Sequence, residues 1–408
     1  VMKSDRGELM DRTVNIAIVP PLESAPQGRF GWSLAGDESP LSFDQLGKLL
    51  PRVAVNWVKI PVWYGEADTQ RGDQLVVLTE RLAAQDIEVV GVVDRPPEGS
   101  ELASRIARDA VIADTLSLDP SSWLPLLDPV LTRLSLRIRW WQLGDDQDVS
   151  YSSYPRVEQE IAKLRELMFR FGQDVSLGIG WKWVHLAENQ PPAAWDFQQF
   201  TASPALTRGE LAEYLQLPPR PGVDRWALIE PLSAKKYDLE IRARELVGDM
   251  LAAKIHGADA IFAAHPFDDD AGLMTDAGMP GELLLPWRTT ASLLSSTRFI
   301  GSILLPGQSE NLLFETPTGE MMMVVWNQRP TQEVLHLGEN IRVVDVFGRE
   351  KLPDAIKHRQ VIEVDALPKF VRGLNPHIAR WRMQMDFKSP HIPSVFGKTH
   401  RNQVVLAN

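Results

Sequence analysis

From Phe30 onward, short apolar runs alternate with longer segments whose apolar residues recur at helical spacing. The runs are "RFGWSLAG", "VNWVKIPVWYG", "IEVVGVVDRP", "LRIRWWQLGDD", "VSLGIGWKWVHL", "PAAWDFQQF", "RWALIEP" and "ADAIFAAHPF". Between them lie amphipathic stretches such as "DQLVVLTERLAAQ" and "RVEQEIAKLRELMFRFG". "YDLEIRARELVGDMLAAKIHG" places Ile241, Leu246 and Met250 on one helical side, and Gly257 supplies a stop before the last run. Eight strands, each followed by a helix over roughly 240 residues, predict an α/β fold, a closed (β/α)8 TIM barrel.

The pattern changes after Pro280. A helix near Trp287 to Ser296 leads into "FIGSILLP", "NLLFETP", "GEMMMVVWNQ", "TQEVLHL", "NIRVVDVFG" and "HRQVIEVDALPKFVRG". These strands are separated by Gly, Pro and Asn without helical crossovers, which predicts a smaller antiparallel β-sandwich. The expected organisation is residues 1–27 as an N-terminal strand or linker at a domain edge, with "TVNIAIVP" as the strand. Residues 28–280 form the barrel, 281–376 the sandwich, and 377–408 a C-terminal extension that returns to the barrel or begins another module.

Charge and composition narrow the partners. The 408 residues carry 43 basic and 54 acidic side chains, a formal charge of −11, with no concentrated Lys/Arg tract. Nucleic acid and anionic membrane are therefore not expected partners. No run reaches the roughly 20 apolar residues of a membrane span, so no integral membrane segment is expected. The chain has no cysteine, which removes disulfide and thiolate chemistry. No Gly-rich strand-to-helix unit suggests a nucleotide site, and no cofactor is expected.

The carboxylates at strand ends carry the chemistry. "RWWQLGDDQD" delivers Asp145, Asp146 and Asp148 just beyond the fourth strand, and Glu230 lies just beyond the seventh. In a parallel barrel those ends converge on one mouth, the arrangement that paired-carboxylate chemistry requires. Asp94-Arg95 ends the third strand, as an ordinary ion pair or a group for a sugar hydroxyl. Trp63, Tyr64 and Glu66 follow the second and are preferred as cleft residues over Lys59, whose stem is expected to run toward the rim. Trp181, Trp183 and His185 end the fifth strand. Trp195 and Asp196 close the sixth. Thirteen tryptophans are chiefly core material, but Trp32, Trp63, Trp183 and Trp195 near strand ends can stack on sugar rings. "HPFDDD" after the eighth strand reads as a solvated loop with His265 toward the cleft, and no metal is assigned, since consecutive acids do not converge on one cation without a special turn.

"WQLGDDQD" and "WALIEP" resemble the strand-four and strand-seven contexts of the large glycoside hydrolase clan built on an eight-stranded barrel, in which strand four ends in Asn-Glu-Pro and strand seven in a nucleophilic Glu. The resemblance spans about residues 28–365, including the appended sandwich. It implies a carbohydrate ligand or substrate, an extracellular or periplasmic setting, and retaining hydrolysis with Glu230 as nucleophile and Asp146 as acid/base. Asp145 takes the place of the clan's Asn and Gln147 that of its Pro. Asp146 stands where the clan has Glu, one methylene shorter, and a misplacement of about 1 Å can cost on the order of 100-fold in rate. Three outcomes stay open: Asp146 still acts as the acid, Asp145 or Asp148 takes over, or the barrel binds carbohydrate without hydrolysing it.

Overall fold

The computed structural model describes residues 14–22, 28–35, 39–65, 68–107, 110–172, 174–185, 193–201 and 205–387, with short pieces at 2–3, 9–10, 399 and 403–406. Eight parallel strands close into a barrel. In chain order they are β1 (Phe30–Ser33), β2 (Trp57–Pro61), β3 (Glu88–Val93), β4 (Trp140–Leu143), β5 (Ser176–Trp181), β6 (Phe197–Phe200), β7 (Asp224–Ile229) and β8 (Ala260–Ala263). β8 pairs with both β7 and β1, which leaves no open edge. Local signals start the surrounding helices. Ser42 and Gln45 form a reciprocal capping box at Phe43–Leu49, Thr207 and Glu210 another at Arg208–Gln216, and Asp238 caps Leu239–Ile255. Helix Leu284–Leu294 covers the last side, with the Trp287 ring edge-on to Phe30 at 6.1 Å.

The barrel interior is filled in layers drawn from alternate strands, as strand tilt dictates. Trp57, Trp140 and Phe197 from β2, β4 and β6 make an aromatic floor, with Trp226 of β7 stacked on Phe197 at 3.6 Å. The Arg29 guanidinium lies over Trp57 and Trp140 at 5.4 and 5.7 Å, sealing the N-terminal end. Two residues further along the even strands come Lys59, Gln142, Gln199 and Phe262, a layer that is three-quarters polar. On β5, Gly178 and Gly180 make room. A Cβ on Gly178 would overlap the Phe197 ring, and one on Gly180 would overlap the Asp148 carbonyl, so the loop after β4 folds across the barrel mouth at this point.

Beyond the barrel a six-stranded antiparallel sheet runs in the order β9 (Arg298–Gly301), β10 (Glu310–Glu315), β11 (Met321–Trp326), β17 (Lys369–Leu374), β13 (Arg342–Asp345) and β14 (Glu350–Lys351). A three-stranded sheet, β12 (Thr331–Leu335), β16 (Arg359–Val364) and β15 (Asp354–Ile356), completes the sandwich. Leu313, Met323, Val371 and Val343 face the smaller sheet, together with Leu335, Ile362 and Val364. Phe314, Met322, Val324, Phe370 and Val344 join the core that includes the barrel. Both faces of the larger sheet are buried, which is why "MMMVVW" is apolar throughout instead of alternating.

One expected strand is absent. Residues 14–22 carry no regular structure, and Val14, Ile16 and Ile18 are exposed; among the described residues no strand pairs with them. After β17 come helix Pro376–Met383 and a pairing of Met385–Phe387 with Val404–Leu406. Among the described residues no helix is long and apolar enough to cross a membrane.

Gly178→Ala forces a methyl group against Phe197 in a filled interior. It should lower stability by about 1–3 kcal/mol in urea unfolding followed by tryptophan fluorescence.

Candidate active site at the barrel mouth

The three acids after β4 have three different structural uses. Asp145 turns the chain: its Oδ1 accepts from the backbone N–H groups of Gln147 (2.9 Å) and Asp148 (2.8 Å). Asp148 fastens the loop to the neighbouring helix, with Oδ2 accepting from Ile112 N at 2.7 Å and Oδ1 from Ser150 N at 2.9 Å. Asp146 points inward and is only 3% exposed. Its Oδ1 accepts from Lys59 Nζ at 2.8 Å and from Gln142 Nε2 at 3.2 Å.

Lys59 corrects an expectation. It does not run to the rim; it is fully buried inside the barrel, because it sits at an inward position of β2 and finds Asp146 directly above it. The ammonium also donates to Gln199 Oε1 and lies over the Phe262 ring at 4.5 Å. Gln199 Nε2 is in turn held by the carbonyls of Phe200 (2.8 Å) and Trp226 (3.3 Å). Burial pushes the Lys59 amine below its ordinary range, and the charge and hydrogen bond of Asp146 pull it back up. The sequence reading missed Gln142 and Gln199 altogether. Their signal is a polar letter at the inward position of three otherwise apolar strands, "WVKIP", "WWQL" and "FQQF".

Asp94, directly after β3, has one wall of the mouth in common with β4, whose Gly144 N–H donates to the Val93 carbonyl at 2.8 Å. Its Oδ1 accepts from Arg95 N at 2.7 Å. Burial raises the Asp94 carboxyl above its ordinary range against those backbone bonds, and the nearby charge of Asp145 pushes it further up. Glu230 directly follows β7 at the same end of the barrel and is exposed, with no ion pair or hydrogen bond recorded among the described residues.

The aromatic candidates are packed. Trp32 has no exposed surface and meets Phe267 edge-on at 6.0 Å. Trp63 and Tyr64 are buried beyond β2, where the Tyr64 hydroxyl accepts from Arg133 at 3.4 Å; Glu66 lies outside the described residues. Trp183 stacks on Phe200 at 4.2 Å and donates from Nε1 to the Thr201 carbonyl at 2.9 Å. His185 ends the single helical turn after β5, and its side chain lies outside the described residues. Trp195 and Asp196 precede β6 instead of closing it: Trp195 packs on Trp181 at 5.5 Å under the Arg220 guanidinium, while Asp196 binds Leu177 N and Arg165. That places both in the layer outside the sheet. His265 follows β8, half-buried, in a left-handed conformation. The acids after it cap turns: Asp268 accepts from the backbone of Asp270 and Ala271, Asp269 from Asp276 N, and Asp270 from Ser233 and Lys235 N. Among the described residues no group of three His, Asp or Glu side chains is placed to hold a metal ion.

A cleft of about 1060 Å³ lies beside the mouth, between helices Phe43–Leu49 and Thr69–Ala83; it reaches Leu34 and Pro61 at the ends of β1 and β2 but none of Asp94, Asp145, Asp146, Asp148 and Glu230.

The closed parallel barrel with a C-terminal sandwich is similar in fold to several solved glycoside hydrolases. A family 39 glycoside hydrolase from the gut symbiont Bacteroides cellulosilyticus has a TM-score of 0.60 at 13% identity, over 91% of this chain and 86% of that one. An endoxylanase of family 30 from Clostridium papyrosolvens gives 0.57 at 10% identity, over 87% and 98%. A family 30, subfamily 8 xylanase from Clostridium acetobutylicum gives 0.55 at 11%, over 86% and 98%. At such identities the likeness is one of fold. No protein-family model and no curated protein sequence matches this chain.

Removing one member of a buried ion pair strands the other. Lys59→Met should cost roughly 3–5 kcal/mol, and adding Asp146→Leu should recover part of that loss in the same denaturant titration. Asp94 works in the opposite sense. An acid whose pKa rises on folding loses stability for the native state as pH climbs past the unfolded value of 3.8, so Asp94→Asn should stabilise the protein at neutral pH and not below about pH 4. Thermal melts across that range check it.

Proposed function

We propose that the barrel binds an oligo- or polysaccharide at its C-terminal mouth and does not hydrolyse it through Asp146. The observation that carries this reading is the position of Asp146. A general acid has to come within hydrogen-bond reach of the leaving oxygen. At 3% exposure, with its Oδ1 engaged by Lys59 and Gln142, Asp146 serves the barrel interior. Glu230 stays exposed and can accept hydrogen bonds from sugar hydroxyls. The fold shared with a family 39 glycoside hydrolase and two xylanases supports a saccharide as the ligand class.

A second reading is favoured by Asp94. Burial, and less strongly the neighbouring Asp145, raise its carboxyl above the ordinary carboxylate range. Asp94 would then give its proton to the glycosidic oxygen while Glu230 attacks the anomeric carbon. Water, deprotonated by the same Asp94, would release the covalent glycosyl-enzyme and regenerate Glu230.

Calorimetry together with a reducing-end assay on neutral oligosaccharides, including xylo- and gluco-oligomers, separates the two. Binding reads as heat without new reducing ends, and Glu230→Gln should weaken it by about tenfold, the loss of a charged hydrogen-bond acceptor. Hydrolysis reads as new reducing ends that fall on the order of 1000-fold or more in Glu230→Gln and Asp94→Asn but persist in Asp146→Asn. Turnover that disappears in a folded Asp146→Asn variant would sink the proposal, as would the absence of binding to every oligosaccharide tried.

A further inference from the structure

At the N-terminal end of the barrel, opposite the mouth, the loops that lead into β4 and β5 enclose a second cleft of about 560 Å³. One wall is the turn Leu136 to Arg139 and the other is Phe169 to Gly172 with Asp174. Three arginines, Arg137, Arg139 and Arg170, line it; Arg137 is paired with Glu80 and Arg139 with Asp174, which leaves Arg170 as the excess positive charge in a chain whose net charge is −11. Arg139 is pinned, with Nε 3.3 Å from Asp174 and the guanidinium 5.2 Å from the Trp140 ring centroid. Arg137 is pinned as well: Nε bonds Glu80 at 2.9 Å and Nη1 donates to the Arg133 carbonyl at 2.9 Å. Arg170, on an exposed turn, holds no ion pair among the described residues. Beside these charges Leu136 is 82% exposed and Phe169 43% exposed.

We propose that this cleft is a second binding site, for a saccharide chain bearing carboxylates, that is, one containing uronic acid residues. Guanidinium groups pair with carboxylates through two parallel hydrogen bonds, a geometry a lysine does not offer. The exposed face of Phe169 and the Leu136 side chain supply the apolar surface on which the C–H face of a pyranose ring packs. Repulsion from the overall negative charge makes the local positive charge decisive, so binding here is salt-sensitive. The choice of a saccharide over an acidic peptide rests on the reading of the mouth as a saccharide site.

Titration of the full chain with a galacturonic acid hexamer by calorimetry tests this, with xylohexaose as the neutral control and a hexaglutamate peptide as the acidic one. The hexamer should bind; Arg170→Glu should weaken it tenfold or more and Phe169→Ala several-fold, with melting temperatures checking that both variants fold. Raising the salt should weaken it. No binding of the hexamer, or binding that Glu230→Gln abolishes and Arg170→Glu does not, overturns the site. Equal Arg170-dependent binding of xylohexaose overturns the charge argument, and equal Arg170-dependent binding of hexaglutamate overturns the saccharide class. The mouth is read separately, from neutral oligosaccharides and Glu230, so the two proposals fail independently.

Discussion

An ammonium group at the centre of a protein interior is costly to desolvate, by several kcal/mol even after relaxation, and is tolerated only where its protons are matched by acceptors. Lys59 meets that condition through Asp146 above it, Gln199 beside it and the face of Phe262. Asp146 therefore has to turn inward, and the loop after β4 turns with it. Asp145 then closes a turn, Asp148 reaches Ile112, and the Asp148 carbonyl comes down on Gly180 of the next strand. The pair, its glutamine partners and the glycines of β5 form one construction, in which each part limits where the others can sit.

Below that layer the packing is of another kind. Trp57, Trp140, Phe197 and Trp226 fill the end of the barrel with interlocking rings, and Arg29 and Arg139 cover Trp140 with cationic planes. This floor makes the interior a packed core and not a pore. The sandwich adds a second constraint, since its larger sheet has one apolar face against the small sheet and the other in the core shared with the barrel.

At the mouth, the acids differ in environment and so in chemistry. Asp145 and Asp148 are acceptors for backbone N–H groups, Asp146 is a counter-ion, Asp94 is pushed toward its neutral form and Glu230 is open to solvent. Sharing one end of the barrel is thus not enough to make a catalytic pair. An acid and a base need different surroundings, and the carboxylates at this end differ in burial and in the backbone groups they bind.

Much of the fold was legible in the sequence. Eight apolar runs alternating with helical stretches set the barrel, and antiparallel strands without crossovers set the sandwich, because burial against a closed sheet demands those periods. The acidic letters after β4 were equally visible. Which direction each carboxylate faces was not, because residues 59, 142, 146 and 199 lie far apart in the chain and meet only when the strands close at a particular tilt. The same holds for Trp195, which local pattern put at a strand end and the register of β6 put before its start. Sequence alone determined that acids follow β3, β4 and β7 at one end of the barrel; strand register and the desolvation of Lys59 decided which of them turn inward and which face solvent.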